Sequence, residues 1–430
     1  MKKNLNLKAA FMVAAALISI GANAQEKISL SLQDAKNYAI EHNVTIQNAA
    51  LDIKNAESAA WQSIASMLPQ VSAGVDYSNM MGYKMELGGM SISMPPSATM
   101  SINSSIAFTG AQIVAVQLSK ISKNMADISY QQSEQQVTNQ VESLYYSILV
   151  TEKSLELLNQ SLDNMTQLRD MTLKSVEVGV TESTEADKLS VQVASLANTV
   201  RSTQRVLEMA FNSLRLQLAL DPDCEIQLTD TLDDLVNLGE VSAILQDEFD
   251  IERNYNYQLL KESTDLSKKQ IAAAGWAYGP TLALVHTYSK KEYFSDEMTM
   301  NMTPPNMLAV SVKLPIFSSL ANAAKVRSAK NNYKKQVNTL ENTEEALQLQ
   351  YNQLVFNLNS AMESYTTQMD NVSVAKDVFF KISNKYQHGV ASSLEVITSG
   401  TELVSAQSSY VQALMDVVNA KLALEELLNR

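Results

Sequence analysis

Two long stretches without proline or glycine constrain the fold of this chain more than any other feature. They run through residues 111–178 and 318–388, and all eight prolines lie outside them. Because an α-helix rises 1.5 Å per residue, each stretch can form one helix of roughly 100 Å. Helices of that length exceed the size of a single globular core, so the sequence predicts helices that pack side by side along their length.

The two stretches belong to a repeat whose copies are about 210 residues apart. The first copy covers residues 25–220, the second covers residues 249–430, and residues 221–248 form an acidic connector between them. The matched pairs include Pro69 and Pro280, Gly179 and Gly389, Val180 and Val390, and Glu185 and Glu395. A unit that is used twice predicts an architecture with internal pseudosymmetry.

Each copy is predicted to form a helical hairpin. The long helices cover about residues 110–177 and 318–387, and apolar side chains recur along them at steps of three and four. That pattern is typical of a narrow seam between helices. A returning helix follows each of the two Gly-Val pairs, so the hairpin tips are expected at Gly179 and Gly389.

Four shorter segments alternate apolar with small or polar residues and are predicted to be β-strands. They cover about residues 71–80, 99–109, 281–291 and 307–317. Each has roughly the nine residues that a tilted strand needs to cross a bilayer. Four strands cannot close a barrel, and an open sheet edge in lipid leaves backbone groups without hydrogen bonds. We therefore expect several copies of the chain to contribute strands to one shared barrel.

Residues 1–24 are interpreted as a secretory signal peptide. Basic residues precede an apolar run, and Ala22-Asn23-Ala24 supplies the small residues of a cleavage site. The run is too short for a membrane helix, so the chain is predicted to be exported. Its formal charge is −13, and because an acidic surface repels nucleic acid, no nucleic-acid partner is expected. Cys224 is the only cysteine, which excludes an intramolecular disulfide.

Strands and long hairpins in this order resemble the TolC-type outer membrane efflux family over nearly the whole mature chain. The resemblance rests on Leu30–Ala35, on Met67–Ser72, on Val141–Leu149 and on the two Gly-Val tips. It implies a mainly α protein with membrane β-strands: a homotrimer with a 12-stranded barrel in the outer membrane of a Gram-negative bacterium and a 12-helix tunnel in the periplasm. It further implies a passive protein without a cofactor, which works with a periplasmic membrane-fusion adaptor and an inner-membrane transporter of the RND or ABC type.

The resemblance also assigns roles to a small set of residues. Gly179, Val180, Gly389 and Val390 match the tips that dock the adaptor, Glu185, Glu395 and Tyr386 match the aperture, and Pro69 and Pro280 match the helix-to-strand junctions. Ala391 stands where the family has a gate arginine, and Thr398 replaces a second acidic position. The gate must therefore be held differently, and Lys385 is a candidate. The alternative for the two glutamates is an ordinary carboxylate favoured by a helix N-terminus.

The leading functional hypothesis is the passive exit channel of a tripartite efflux system that carries small molecules. One alternative is the outer-membrane duct of a type I protein secretion system. Another, from a different class, is a coiled-coil spacer or adhesin that forms no channel. The sequence contains no nucleophile elbow, phosphate-binding loop or paired acid and base, so an enzyme is not expected.

Methionines are concentrated in the predicted strand-connecting loops, at Met80, Met81, Met85, Met90, Met94, Met298, Met300, Met302 and Met307. Thioethers bind Cu(I), and the alternative is that these flexible apolar side chains pack the loops. His388 lies one residue before a tip. It could titrate near neutral pH, or it is an ordinary surface histidine.

Overall fold

The computed structural model describes residues 27–232, 238–295 and 304–430, and helices make up most of it. The helices are α1 (Leu32–His42), α2 (Val44–Ala65), α3 (Gly110–Glu177), α4 (Ser183–Gln217), α5 (Leu238–Ile244), α6 (Tyr255–Gly275), α7 (Ala321–Gln387) and α8 (Ser393–Leu428). The strands are β1 (Lys27–Leu30), β2 (Gln70–Ser78), β3 (Lys84–Leu87), β4 (Met90–Ser93), β5 (Ser97–Thr109), β6 (Glu225–Leu228), β7 (Thr281–Tyr293) and β8 (Asn306–Lys313). The predicted signal peptide and three of the loop methionines, Met298, Met300 and Met302, lie outside the described residues.

Among the described residues, no helix combines the length and the hydropathy that a membrane span requires.

The chain forms two compact units, and each draws on both sequence copies. The helix unit contains the described residues up to Gln47 together with Ser133–Asp250 and Gln348–Arg430. The sheet unit contains Asn48–Gln132 and Ile251–Leu347. The compact units therefore do not follow the repeat boundary, because the apolar seam of one helical hairpin is covered by the other hairpin.

The helix unit is held together by an apolar cluster to which α3, α4, α7 and α8 all contribute. Its buried members are Leu158, Met165, Leu168, Leu189, Val193, Leu196, Val200, Phe379, Val396 and Leu403. Leu158 and Met165 belong to the seam that the sequence periodicity predicts for the first long helix. Full burial of a leucine or valine side chain contributes roughly 1.5–3 kcal/mol, so this cluster is a main source of cohesion between the two hairpins.

A buried set of charges joins α1, α3 and α8 in the same unit. Glu142 is only 6% exposed and forms an ion pair with Lys36. The Lys421 Nζ atom lies 4.0 Å from a Glu142 carboxylate oxygen and 3.6 Å from Glu425. Glu142 is therefore the shared anion of two lysines. It is the carboxylate partner of Lys36 among the described residues, and it shares Lys421 with Glu425, because charges removed from water need partners.

The acidic connector is tied to the start of the chain. Strand β6 of the connector pairs in parallel with β1, and the Asp230 carboxylate accepts a hydrogen bond of 2.7 Å from the backbone N–H of Leu32. The buried Tyr145 hydroxyl lies 3.1 Å from both Asp230 and the Leu30 carbonyl. Burial raises the pKa of Tyr145 to about 12. This tyrosine was part of the family resemblance, and it fixes the connector against α3.

The sheet unit contains a four-stranded sheet in the order β2-β5-β7-β8. All three neighbouring pairs are antiparallel, and the central pair joins β5 of the first copy to β7 of the second. Strands β2 and β8 are its edges. The fold-class prediction of four strands per chain describes this sheet, but it is wrong as a count for the chain. The described residues also contain the β3–β4 hairpin and the β1–β6 pair, whose four-residue strands are too short to give a recognisable alternation.

The junction after β8 differs from the predicted boundary. The strand ends at Lys313 rather than at residue 317, because Pro315 has no N–H for a strand ladder. Ser319 and Leu320 have φ values of 50° and 64°, a left-handed conformation that neither a strand nor a helix continues. The long helix therefore begins at Ala321 instead of residue 318.

We expect Gly110→Ala to destabilise the junction between β5 and α3. The indole ring of Trp276 lies so close to Gly110 that an added Cβ would sit 2.2 to 2.3 Å from three ring atoms. A rigid ring cannot retreat as a flexible side chain can, so the cost is about 1–3 kcal/mol or more. The midpoint of thermal unfolding in detergent micelles measures it. Gly275→Ala is the matched control, because nothing lies within 4 Å of its added Cβ, and an unfolding midpoint equally low in both variants would contradict the prediction.

Candidate functional site

One face of the four-stranded sheet is predominantly apolar, with Ser104 of β5 and His286 of β7 as adjacent polar positions within it. Its members are Val71, Val75 and Tyr77 on β2, Met100, Ile102, Ile106 and Phe108 on β5, Leu282, Leu284 and Tyr288 on β7, and Leu308, Val310 and Val312 on β8. These side chains are largely exposed, for example Val75 at 75% and Val312 at 68%. An apolar patch that spans a whole sheet face marks a surface that another apolar phase or another molecule covers.

The opposite face is mainly small and polar, with Val285 of β7 and Met307 of β8 as apolar exceptions. The register places there Ser72, Gly74 and Asp76 of β2, Thr99, Ser101, Asn103, Ser105 and Ala107 of β5, Ala283, Thr287 and Lys291 of β7, and Ala309, Ser311 and Lys313 of β8. The Thr287 hydroxyl donates a 2.8 Å hydrogen bond to the Asn103 side chain across two strands. A face of short hydroxyl and amide groups suits contact with water, so the sheet separates a wet side from an apolar side.

The apolar band crosses the sheet obliquely. On β2 it covers Val71–Tyr77, and at the other edge it continues from Leu308 on β8 to Leu314. The register places Val71, the first residue of the β2 series, level with Leu308, the first residue of the β8 series, and the two series extend in opposite directions from that level. The band centre thus moves by about six residues, or roughly 20 Å, over three strand spacings of about 4.8 Å each. The band becomes level when the strands are tilted by roughly 50°, near the tilt of membrane barrels.

The two hairpin tips have the same backbone design. Gly179 and Gly389 have φ values of 75° and 72°, and the N–H groups of Val180 and Val390 bond back to the carbonyls of Ser175 and Lys385 at 2.9 and 2.8 Å. This is the glycine-terminated helix end in which a left-handed residue satisfies the last carbonyls. Both valines are exposed, at 79% and 74%, so each tip presents an apolar side chain to its surroundings.

The matched glutamates have different partners, although the sequence repeat makes them equivalent. Glu395 closes a capping box at the start of α8, where its carboxylate accepts a 2.8 Å hydrogen bond from the Ser392 N–H. The position that matches Ser392 is Glu182, whose side chain makes no capping bond. Two carboxylates cannot form a capping box, and Glu185 instead accepts a hydrogen bond from the Ser393 hydroxyl of the other hairpin. It also pairs with Lys188 at 2.8 Å.

Tyr386 bonds to the first hairpin. Its hydroxyl lies 2.6 Å from the Thr172 hydroxyl, and Thr172 donates its own proton to the Leu168 carbonyl at 2.9 Å. A threonine hydroxyl has one proton, so Tyr386 must be the donor to Thr172. Two side-chain bonds, Tyr386 to Thr172 and Ser393 to Glu185, therefore connect the hairpins near their tips.

The tip carboxylates are expected to make the tip region stable at neutral pH and less stable in acid. Hydrogen bonds from Lys188 and then from Ser393 lower the pKa of Glu185 below its ordinary value of 4.5. The backbone N–H of Ser392 lowers the pKa of Glu395 in the same direction, with a smaller contribution from Lys385. A lowered folded-state pKa means that the stabilisation is complete above the ordinary value and is lost as the pH falls through the folded one.

Hydrogen exchange at the tip amides as a function of pH measures this loss. Protection is expected to be flat from neutral pH to the ordinary carboxyl range and to fall below it. Glu185→Gln should reduce the dependence, whereas a control at the exposed Asp377 should not. Protection that decreases already near pH 6 to 7 would contradict the assignment to these two carboxylates.

The predicted site residues fall in both units. The tip residues and the three aperture residues lie together in the helix unit. Pro69 and Pro280 lie in the sheet unit, each directly before the first residue of a strand, Gln70 or Thr281. Sequence reasoning missed Thr172 and Ser393 as partners. The periodicity places both on helices, but it does not say which turns of two separate hairpins lie side by side.

The comparisons with known proteins agree with this geometry. A family model described as outer membrane efflux protein matches residues 36–219 and 256–430. The fold is similar to that of the outer membrane protein VceC from Vibrio cholerae, with a TM-score of 0.75 at 15% identity over 92% of this chain and 95% of that chain. CusC gives a TM-score of 0.76 at 16% identity over 95% of each chain. The Campylobacter jejuni CmeC outer membrane channel gives 0.74 at 14% identity over 92% of this chain and 85% of that chain. No curated protein is significantly similar in sequence.

Proposed function

This chain belongs to the outer membrane efflux protein family, and from that premise we propose that it is the passive exit channel of a tripartite efflux system. It lies in the outer membrane of a Gram-negative bacterium. In this proposal small molecules enter from the periplasm or from an inner-membrane pump and leave the cell through the channel. The family consists of ducts and not of enzymes, so the protein supplies a path and other components supply the energy.

The single observation that carries the proposal is the two-sided sheet. Its apolar face suits the hydrocarbon of a bilayer, and its polar face suits a water-filled interior. The edge strands β2 and β8 have no partner strand beyond them among the described residues, and an open edge in lipid costs several kcal/mol for each unpaired group. Three copies with four strands each would close a 12-stranded barrel, and their long helices would form a 12-helix tunnel in the periplasm.

The exposed tips are the proposed docking site for a periplasmic membrane-fusion adaptor. Val180 and Val390 offer apolar side chains on two similar turns, held by Gly179 and Gly389. An apolar anchor on a rigid turn is the kind of feature that a partner helix can bind. The adaptor would connect the channel to an inner-membrane transporter of the RND or ABC type.

The aperture is proposed to be held closed by bonds within each chain. Tyr386 with Thr172 and Glu185 with Ser393 connect the second hairpin to the first. This arrangement would compensate for Ala391 at the position of the family arginine. Lys385 would act on Glu395 only through its charge, which favours the ionised carboxylate.

Deletion of the gene in its native host tests the proposal. The deletion strain should become hypersensitive to drugs and detergents, and the wild-type gene should restore resistance. A strain with normal drug sensitivity that has lost a secreted protein would favour the type I secretion duct instead. A strain with neither defect, but with impaired adhesion, would favour the spacer or adhesin and contradict the proposal.

A further inference from the structure

The first 20 residues of α7 are strongly basic although the chain as a whole is acidic. The formal charge of the protein is −13, yet residues 321–340 contain five cations and no aspartate or glutamate. The cations are Lys325, Arg327, Lys330, Lys334 and Lys335. All five are exposed. None of them lies within ion-pair distance of a carboxylate among the described residues, in contrast to Lys261, which pairs with Glu252 at 2.6 Å.

Two other helices of the sheet unit have the same charge pattern where they meet the sheet. Residues 110–126 of α3 contain Lys120 and Lys123, residues 266–280 around the end of α6 contain Lys268 and Lys269, and neither segment contains an acid. Only Lys123 has a carboxylate partner, Glu57 at 2.8 Å. We call these four lysines and the five cations of α7 the basic collar.

The basic collar lies on the helix turns nearest the ends of the strands, within about 20 Å of them. Helix α7 begins at Ala321, a short turn after β8 ends at Lys313, so Lys325, Arg327 and Lys330 lie within about 15 Å of the helix start. Lys120 lies about the same distance from Gly110, where α3 follows directly on β5. If the apolar sheet face spans the hydrocarbon, Lys325 and Arg327 lie beside the headgroups, which extend about 5–8 Å beyond it. The cations further along the helices face that layer from the aqueous side, and helical side chains of α7 point back towards its N-terminus.

We propose that the basic collar binds the phosphate groups of anionic phospholipids in the leaflet that faces the helices. This inference rests on the proposed function, because it requires the sheet to lie in the bilayer. Arg327, Lys330 and Lys334 follow one another at steps of three and four, so they share a helix face. A guanidinium can bind a phosphate through two hydrogen bonds, and each cation at an anionic membrane surface strengthens binding roughly fivefold at low salt. The lipid would fix the height of the channel in the membrane.

The test uses the full-length protein in phosphatidylcholine vesicles that contain a minor share of spin-labelled phosphatidylglycerol. The association of this lipid with the protein is compared with that of spin-labelled phosphatidylcholine. The variant is Lys325→Gln with Arg327→Gln and Lys330→Gln. The control removes three other exposed lysines, Lys174, Lys376 and Lys381, which lie in the helix unit. Channel conductance is recorded for every sample.

The wild type and the control should prefer phosphatidylglycerol, and salt should weaken that preference. In the variant, the preference for phosphatidylglycerol over phosphatidylcholine should fall at least fivefold while its conductance is unchanged.

An unaltered preference in the variant would overturn the inference. So would displacement of the lipid by inorganic phosphate but not by chloride at equal ionic strength, because the site would then bind free phosphate. A shifted reversal potential with an unchanged lipid preference would place the cations in the lumen. A wild type that neither inserts nor conducts would refute the proposed function itself.

Discussion

Val310→Lys is expected to prevent stable insertion of the protein into the outer membrane, whereas Ser311→Lys on the same strand should be tolerated. Val310 is 67% exposed on the apolar face, level with Leu284 of β7. A lysine on the lipid-facing side near the middle of a bilayer costs about 2–4 kcal/mol in each copy. Ser311 is the next residue and points to the polar face, level with Ala283, where a lysine side chain remains in water.

The amount of heat-resistant, folded protein in outer-membrane fractions measures both variants. Each adds one positive charge to one strand, so they differ only in the face that carries it. A large loss for Val310→Lys with near-normal levels for Ser311→Lys is the expected result. Equal loss in both variants would mean that lipid does not cover the apolar face while water covers the polar face. The proposed membrane orientation of the sheet would then be wrong.

Glu142→Gln should destabilise the helix unit by about 2–4 kcal/mol. The substitution leaves Lys36 without its carboxylate partner and Lys421 with Glu425 alone, and removing one partner from a buried ion pair costs about 3–5 kcal/mol. The expected loss of about 2–4 kcal/mol is set below that general range because the side chains of Lys36 and Lys421 are partly exposed, at 23% and 15%. Glu156→Gln on the same helix is the control, because its pair with Lys153 is exposed and such a pair contributes about 0–1 kcal/mol.

Denaturant unfolding of the helix unit, followed by circular dichroism, gives the free energies of unfolding. Replacing Glu142 and Lys36 together, with Glu142→Leu and Lys36→Met, should restore much of the stability, since Lys421 keeps Glu425 as its partner at 3.6 Å and no buried charge is left unpaired. If Glu142→Gln were as mild as Glu156→Gln, water must reach the cluster and the charges would not fix α1, α3 and α8 against each other.

The elements of this fold could be predicted where one simple periodicity governs a segment. The absence of proline and glycine over residues 111–178 indicates a helix, and a period of two over residues 281–291 indicates a strand with two different faces. The residues Gly179 and Gly389 mark helix ends because a positive φ is easiest for glycine. In each of these cases the information is local, so the sequence pattern and the structure agree within a few residues.

Contacts between distant segments could not be predicted in the same way. The repeat makes Glu185 and Glu395 equivalent, but the replacement of a serine by Glu182 leaves Glu185 free to bond across to Ser393. Thr172 becomes the partner of Tyr386 only through the axial register of α3 against α7, which a repeating seam does not define. The short β1–β6 pair depends on Asp230 and Tyr145, whose separation in sequence gives no periodic signal.

The most direct test of the central claim is to purify the mature protein, determine its mass in detergent and record currents after its addition to a planar bilayer. A stable trimer and uniform conductance steps are expected, because the four-stranded sheet of one chain cannot close on itself in lipid. A monomer that stays soluble without detergent and produces no current would contradict that claim.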